Sequence, residues 1–306
     1  MRVTSGAALR PPRGLAIDRA TWLPEPPAAL KRRWREPSVL PGFGPALGIT
    51  LAYLSAVVLV PLAALALRPW ELGVDGVWRS LTEPRVLAAL RLSFGLSALA
   101  AMINAPMGLL IAWVLTRYAF PGRRVLDALV DLPFALPTAV AGIALTALYA
   151  PTGVLGGLAA KVGIKTAYTP LGIFIALLFI GLPFVVRQVQ PVLADFDAEV
   201  EEAAQTLGAS PLQRFSQVML PAIAPALVGG VSLAFARAVG EYGSVIFIAG
   251  NMPMKSEIAP LLIVTKLEEY DYAGAAALGL AMALISFGAL ALVNAAQLGM
   301  ARRGRA

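Results

Sequence analysis

Arg237 and Glu241 lie four residues apart in an otherwise apolar stretch, so on a helix they share one face and can pair. An ion facing lipid is costly, so both groups are expected to face the protein interior. Such a pair can hold helices together, or its arginine can attract an anion in passage. Ser232, Ala236 and Gly240 repeat at four-residue spacing one position away, a stripe of small residues that lets another helix come close. These four positions, Arg237, Glu241, Ser232 and Gly240, are the expected translocation or subunit-interface residues. Asn104 and Asp131 are further polar residues in apolar surroundings. Single groups of that kind more often join helices.

The remaining chemical inventory is narrow. The chain of 306 residues has no cysteine and no histidine. That removes disulfides, thiolate nucleophiles, Cys-based zinc sites and the imidazole base. No gathered set of carboxylates takes their place, so neither catalytic nor metal-ligating residues are expected. Gly156, Gly157, Gly163, Lys165 and Thr166 resemble a phosphate loop, but Ile164 separates Gly163 from Lys165 and breaks the required G-x4-G-K-[ST] spacing. The chain is therefore expected to bind no ATP and no other cofactor itself.

The elements that must position these residues are read from composition. Hydrophobic residues make up 58% and charged residues 14%, against about 25% charged in a soluble domain. Six apolar blocks reach or nearly reach the ~20 residues needed to span a bilayer: 45–67, 90–116, 125–149, 170–189, 222–242 and 273–298. The fold class expected is all-α, a polytopic membrane protein of six transmembrane helices. Pro106, Pro133, Pro137 and Pro183 fall inside blocks and imply kinks that neighbouring helices satisfy. Residues 1–43 differ in kind: RPPRG, PEPP and KRRWREP read as a disordered or surface-lying arm, with Lys31–Arg35 and Trp34 suited to anionic headgroups. The spanning domain is placed at 44–298 and a basic tail at 299–306.

Orientation follows from Lys and Arg, which stay on the cytoplasmic side. With the N-terminus inside, sixteen basic residues fall inside and seven outside; without the arm the ratio is eight to seven. The cluster Arg117, Arg123 and Arg124 favours the same topology, with both termini cytoplasmic. Topology thus accounts for the net charge of +7 without nucleic acid.

One inside loop, 195–221, carries a pattern: DFDAEVEEAAQTLGASPLQRFSQVMLP. Asp197 is placed to cap a short helix, with Glu199, Glu201 and Glu202 near its positive end. Gly208 stands where a left-handed cap ends that helix. Ser210, Pro211 and Gln213 fit a capping box with proline in the first turn. The expectation is a rigid helix-turn-helix knob.

Glu202-Ala203-Ala204, three residues, Gly208, nine residues, then Val218-Met219-Leu220-Pro221 resembles the EAA loop of ABC importer permeases, E-A-A-x3-G-x9-I-x-L-P, with Val in place of Ile. The stretch Phe235 to Tyr272, above all GEYGSVIFIAGN and EIAPLLI, is similar to the T-type subunit of sulfate/thiosulfate permeases. Molybdate permeases share a GE[FY]G element, so that oxyanion stays an alternative. The resemblance spans 44–298 and implies a type I ABC importer permease architecture in a bacterial inner membrane. It implies that Glu202, Ala203, Ala204, Gly208, Leu220 and Pro221 couple the chain to ATPase subunits, which themselves bind ATP and Mg. It further implies a sister permease, two ATPase subunits, an extracytoplasmic sulfate-binding protein and lipid as partners. The competing class is an ion-coupled secondary transporter, which usually shows internal repeats and several midplane carboxylates; no convincing repeat is present and membrane carboxylates are few.

Overall fold

The computed structural model describes residues 43–303. The expected arm lies outside them except for Phe43, as do the last three residues of the expected tail. The chain divides into two compact units at Ser55. Of the first, the described part is α1 (Phe43–Leu54), an apolar helix with no buried residue.

The second unit begins at Ala56. It holds α2 (Val60–Leu67), α3 (Gly73–Thr82), α4 (Pro84–Arg117), α5 (Arg123–Val130), α6 (Leu132–Ala135), α7 (Thr138–Tyr149), α8 (Val154–Lys161), α9 (Pro170–Ala194), α10 (Ala198–Thr206), α11 (Pro211–Gln213), α12 (Leu220–Val239), α13 (Val245–Ile248), α14 (Ala259–Glu268) and α15 (Tyr272–Arg303). Among the described residues there is no strand. Among the described residues of the chain, five helical stretches, the first of them Phe43–Thr82, are long and apolar enough to cross a membrane, and the pair α7 and α8, bent by 41°, makes a sixth if counted as one span.

The heart of this unit is α4, α9 and α12 packed against one another. Val185, Val186 and Val189 of α9 are fully buried against Ala112 and Leu115 of α4 and Ile223 and Ala234 of α12. Glycines set how closely the backbones meet. A Cβ on Gly108 would lie 2.7 Å from Val185 Cγ1, and one on Gly230 would lie 2.9 Å from Val185 Cα. Apolar side chains gain little by leaving lipid tails for one another, so this close contact is what holds such helices together. Asn104, buried on α4, donates to Leu178 O at 3.1 Å and ties α4 to α9.

The boundaries differ from the sequence expectation in several places: the first helical stretch runs on to Thr82, α4 starts at Pro84 rather than 90 and α9 runs to Ala194 rather than 189. The third span, expected as one block from 125, is interrupted: Leu136 is extended ahead of Pro137, as the ring of a following proline requires, and helix resumes only at Thr138. The fifth helix stops at Val239 rather than reaching 242. The last helix continues to Arg303, so part of the expected tail is helical. Its start is capped by Asp271, whose Oδ1 accepts the Gly274 amide at 2.8 Å and whose Oδ2 meets Lys266 Nζ at 3.1 Å. Burial pushes the Asp271 carboxyl up, but that amide and the Lys266 charge outweigh it and leave it below the usual carboxylate range.

Candidate functional site

The segment after α9 is built from short-range caps. Asp197 Oδ1 accepts the Glu199 amide at 2.9 Å and opens α10. The helix closes with Gly208 N donating to Gln205 O at 2.9 Å and Ala209 N to Ala204 O at 3.0 Å, the two bonds of a Schellman turn. That turn requires a left-handed residue, and Gly208 has φ +88°. Ser210 and Gln213 then form a reciprocal capping box, Ser210 N to Gln213 Oε1 at 2.8 Å and Gln213 N to Ser210 Oγ at 3.3 Å.

The second helix of this knob is not a separate piece. From Pro211 the chain runs through a π-helical turn, Arg214–Met219, directly into α12, a continuous stretch of 29 residues. Any force on the tip at Pro211–Gln213 therefore acts on a membrane helix without an intervening hinge loop. The tip presents Leu207 at 89% and Leu212 at 75% exposure.

Arg117, the last residue of α4, fixes the knob to the bundle. Its Nη1 donates to Glu201 Oε2 at 3.2 Å, and its guanidinium sits 5.5 Å from the Trp113 ring centre and 5.9 Å from that of Phe196. Arg214 approaches the other oxygen of Glu201 at 3.7 Å and donates to Gln205 Oε1 at 2.9 Å. Trp113 also meets Phe215 edge-on, with centroids 5.7 Å apart.

Arg237 Nη1 and Glu241 Oε2 pair at 2.5 Å. The pair is lopsided: the Glu241 side chain is 2% exposed and that of Arg237 35%. Glu241 lies past the end of α12, where its Oε1 accepts the Ser244 amide at 2.8 Å and the Ser244 hydroxyl at 2.9 Å. The carboxylate thus holds the turn between the end of α12 and the start of α13. This turn packs against α7 at backbone distance. A Cβ on Gly142 would come within 2.5 Å of Ser244 O, and one on Gly243 within 2.2 Å of Thr138 Oγ1.

Residues 104–305 match the family described as "binding-protein-dependent transport system inner membrane component". The chain belongs to that family. Its relatives include proteins named sulfate transport system permease protein CysT in Salmonella typhimurium and Escherichia coli, each 47% identical over 265 residues, 87% of this chain and 96% of the relative. A relative of the same name in Synechococcus elongatus is 47% identical over 81% of this chain and 89% of its own. Among solved structures, a bacterial ABC transporter involved in alginate import shares the fold at TM-score 0.70, with 16% identity over 83% of this chain and 94% of that one.

Within this inner membrane component the expected coupling residues divide by position. Glu202, Ala203 and Gly208 are exposed, Ala204 is half-buried, and Leu220 and Pro221 open α12 at the root of the knob. Of the expected small-residue stripe, Ser232 and Ala236 are half-buried and Gly240 is exposed with open space where a Cβ would be; the small residues that α12 buries are a different set, Gly230, Ala234 and Ala238. Gly240 thus leaves room beside the Arg237–Glu241 pair.

Sequence reasoning missed the long-range partners of three arginines. Arg187 binds Asp131 with both nitrogens of its fork, Nε to Oδ1 and Nη2 to Oδ2 at 2.7 Å each, and reaches Asp127 Oδ1 at 2.6 Å. Asp131 is therefore half of a bracket joining the junction of α5 and α6 to α9. On α5, outside the candidate spans, the bond from Arg187 holds the Asp127 carboxyl below its usual range. Arg85 holds Glu257 in the same bidentate way, at 2.8 and 2.7 Å, with Glu257 buried. The third arginine is Arg117, paired with Glu201. The signal available beforehand was only the cost of unpaired charge near lipid. Among the described residues no group of three or more Asp or Glu is placed to hold a metal.

Proposed function

We propose that this chain is the T-type permease subunit of an ATP-driven sulfate importer and forms half of the path along which sulfate crosses the membrane. The observation that carries the reading is the doubly capped knob at Asp197–Gln213, continuous with α12 and presenting Leu207 and Leu212. A connector between spans has no structural need for that definition; a part that receives force from another subunit does. Identity of 47% along 96% of the sulfate permeases of two bacteria supports the substrate.

In this reading two ATPase subunits bind ATP and Mg and hold the knobs of this chain and of a sister permease. Glu202, Ala203, Ala204 and Gly208 form the docking surface, and Leu220 and Pro221 carry its movement into α12. When ATP draws the ATPase subunits together the knobs approach, and the bundles reopen toward an extracytoplasmic sulfate-binding protein. Hydrolysis resets them. Arg237 and Glu241 hold the α12–α13 turn at the face shared with the sister subunit, with a modest influence on the anion. Both termini lie in the cytoplasm of a bacterium, and Arg124 and Lys161 lie on opposite sides of the inner membrane.

Purification of the chain with its ATPase, followed by uptake of labelled sulfate and molybdate into vesicles, tests the function. Sulfate uptake dependent on ATP is expected; preference for molybdate would reassign the substrate, and transport without an ATPase would discard the reading. Single cysteines at Arg124 and Lys161, in a chain that has none of its own, test the topology: labelling from the same side would refute it.

A further inference from the structure

A cavity of about 570 Å³ opens between the end of α7, α8, the 164–170 segment and the 252–256 loop. It shares no residue with the knob or with the Arg237–Glu241 turn. Pro151, Ala160, Ile164 and Met252 give it largely apolar walls, and Lys165 and Lys255 stand at its lining. No carboxylate lines it, and among the described residues neither lysine takes part in an ion pair.

The framework around the cavity is firmly set. Thr166 Oγ1 donates to Tyr149 O at 2.6 Å, Tyr168 N to Ile248 O at 2.7 Å, and Met252 N to Ser256 Oγ at 3.2 Å. A Cβ on Gly250 would lie 2.9 Å from Tyr168 Cβ, so the two segments meet backbone on side chain. Tyr168, Asn251 and Met254 adopt positive φ, three of the four non-glycine residues that do so among those described. Conformations of that kind cost on the order of 1–3 kcal/mol each and persist only where the surroundings impose them, commonly at functional sites.

The chemistry suits a protein surface better than a free anion. A small dianion needs several donors converging on it. Here the walls are mostly apolar, the Thr166 and Thr169 hydroxyls are taken up by backbone carbonyls, the charge is two ammonium groups, and Tyr168 and Met252 at the lining are each 48% exposed. Tyr and Met lining an open, mostly apolar cup are the composition of an interface anchor point, and charges at its edge select and steer the partner.

We infer that this cavity is the socket in which the extracytoplasmic binding protein seats a protruding apolar side chain, flanked by acidic residues that meet Lys165 and Lys255. The inference rests on the permease reading above, which puts Lys161 and its neighbours on the outer face.

The test uses the complete transporter in lipid nanodiscs, with ATPase rate measured against the concentration of sulfate-loaded binding protein. Lys165→Glu with Lys255→Glu is expected to raise the half-saturating concentration about tenfold and to flatten its salt dependence, with the maximal rate retained. Ala160→Trp, which fills the cup without altering charge, is expected to raise it as well. A wild type that responds while both variants match it overturns the socket alone. A change in sulfate dependence with binding-protein dependence intact would make the cavity an anion site and overturn it too. A wild type indifferent to the binding protein sinks the permease reading and the socket together.

Discussion

In the knob, the bonds that shape the backbone join residues two to five positions apart, from Asp197 with Glu199 to Ala204 with Ala209. In the bundle, the bonds that fix one helix to another join residues 56 to 172 apart, from Asp131 with Arg187 to Arg85 with Glu257. The first set is solvent-exposed and made mostly by backbone groups; the second is at least partly buried and made mostly by charged side chains, with the neutral Asn104 and Ser93 beside them. The knob can therefore keep its shape while it moves as a body. The bundle's segments are packed closely and also depend on each charge keeping its partner, because near lipid an unpaired charge has no water to fall back on. In the function proposed above, the part that would transmit force and the part that would rearrange around a passing ion are stabilised by different physics.

The largest effect should come from breaking a bundle pair from its exposed side. Arg85→Leu removes the partner of a fully buried carboxylate, and a stranded charge of that kind costs about 3 kcal/mol, the lower end of the range because the Arg85 side chain is 30% exposed. We expect a marked fall in the temperature at which the detergent-purified chain aggregates. Arg85→Leu with Glu257→Leu should recover much of the loss. A double variant no better than Arg85→Leu would mean that the pair itself, rather than the stranded charge, holds α4 to the 257–259 segment.

Next in size is the Arg237–Glu241 turn. Arg237→Gln leaves Glu241 buried with only Ser244 to bond it, a cost of about 2 kcal/mol once the partial exposure of Arg237 is allowed for. Glu241→Gln keeps an oxygen for Ser244 and should cost less. The double replacement should assemble and carry sulfate at a reduced rate. A fully assembled Arg237→Gln complex that carries none would move Arg237 from a holding role onto the path.

Gly208→Val probes the knob. A branched side chain at φ +88° costs roughly 1 kcal/mol or more and turns the second half of the knob away. The spans should fold and insert as before while ATPase subunits dissociate on purification. Retained ATPase with a folded bundle would remove Gly208 from the docking role.

These contrasts also explain what could be read from the sequence. Caps are local and stereochemical, so Asp197, Gly208 and Ser210 announced the knob. Block length announced the long helices, and the spacing of Arg237 and Glu241 announced their bond. The break of the third span was not seen, although Pro133 and Pro137 were, because a proline alone does not say whether neighbours will carry the helix across it. Pro106 and Pro183 sit inside continuous helices; Pro137 does not. The end of α12 was missed because Glu241 looks helical until it is seen to accept the Ser244 amide. Partners 84 or 172 residues away, such as Glu201 for Arg117 or Glu257 for Arg85, leave no trace in spacing.

The smallest effect tests the comparison most closely. Ser210→Ala deletes one half of the capping box, an exposed bond at 3.3 Å, and exposed caps are worth about 0.5–1 kcal/mol. Asp197→Ala deletes the cap of α10, bonded at 2.9 Å. The two bonds lie in different helical turns with no shared atom, so their costs should add. If the knob is held locally, each variant should speed amide hydrogen exchange only near its own cap, in 198–201 for Asp197 and 211–214 for Ser210. The aggregation temperature of the bundle should stay at the wild-type value. Arg117 joins the two regimes through Glu201, so Arg117→Leu should do what neither cap variant does and loosen the whole knob at once. Exchange that spreads into α4 or α9 from Ser210→Ala alone would show that the knob and the bundle unfold as one unit, and the division drawn between them would fall.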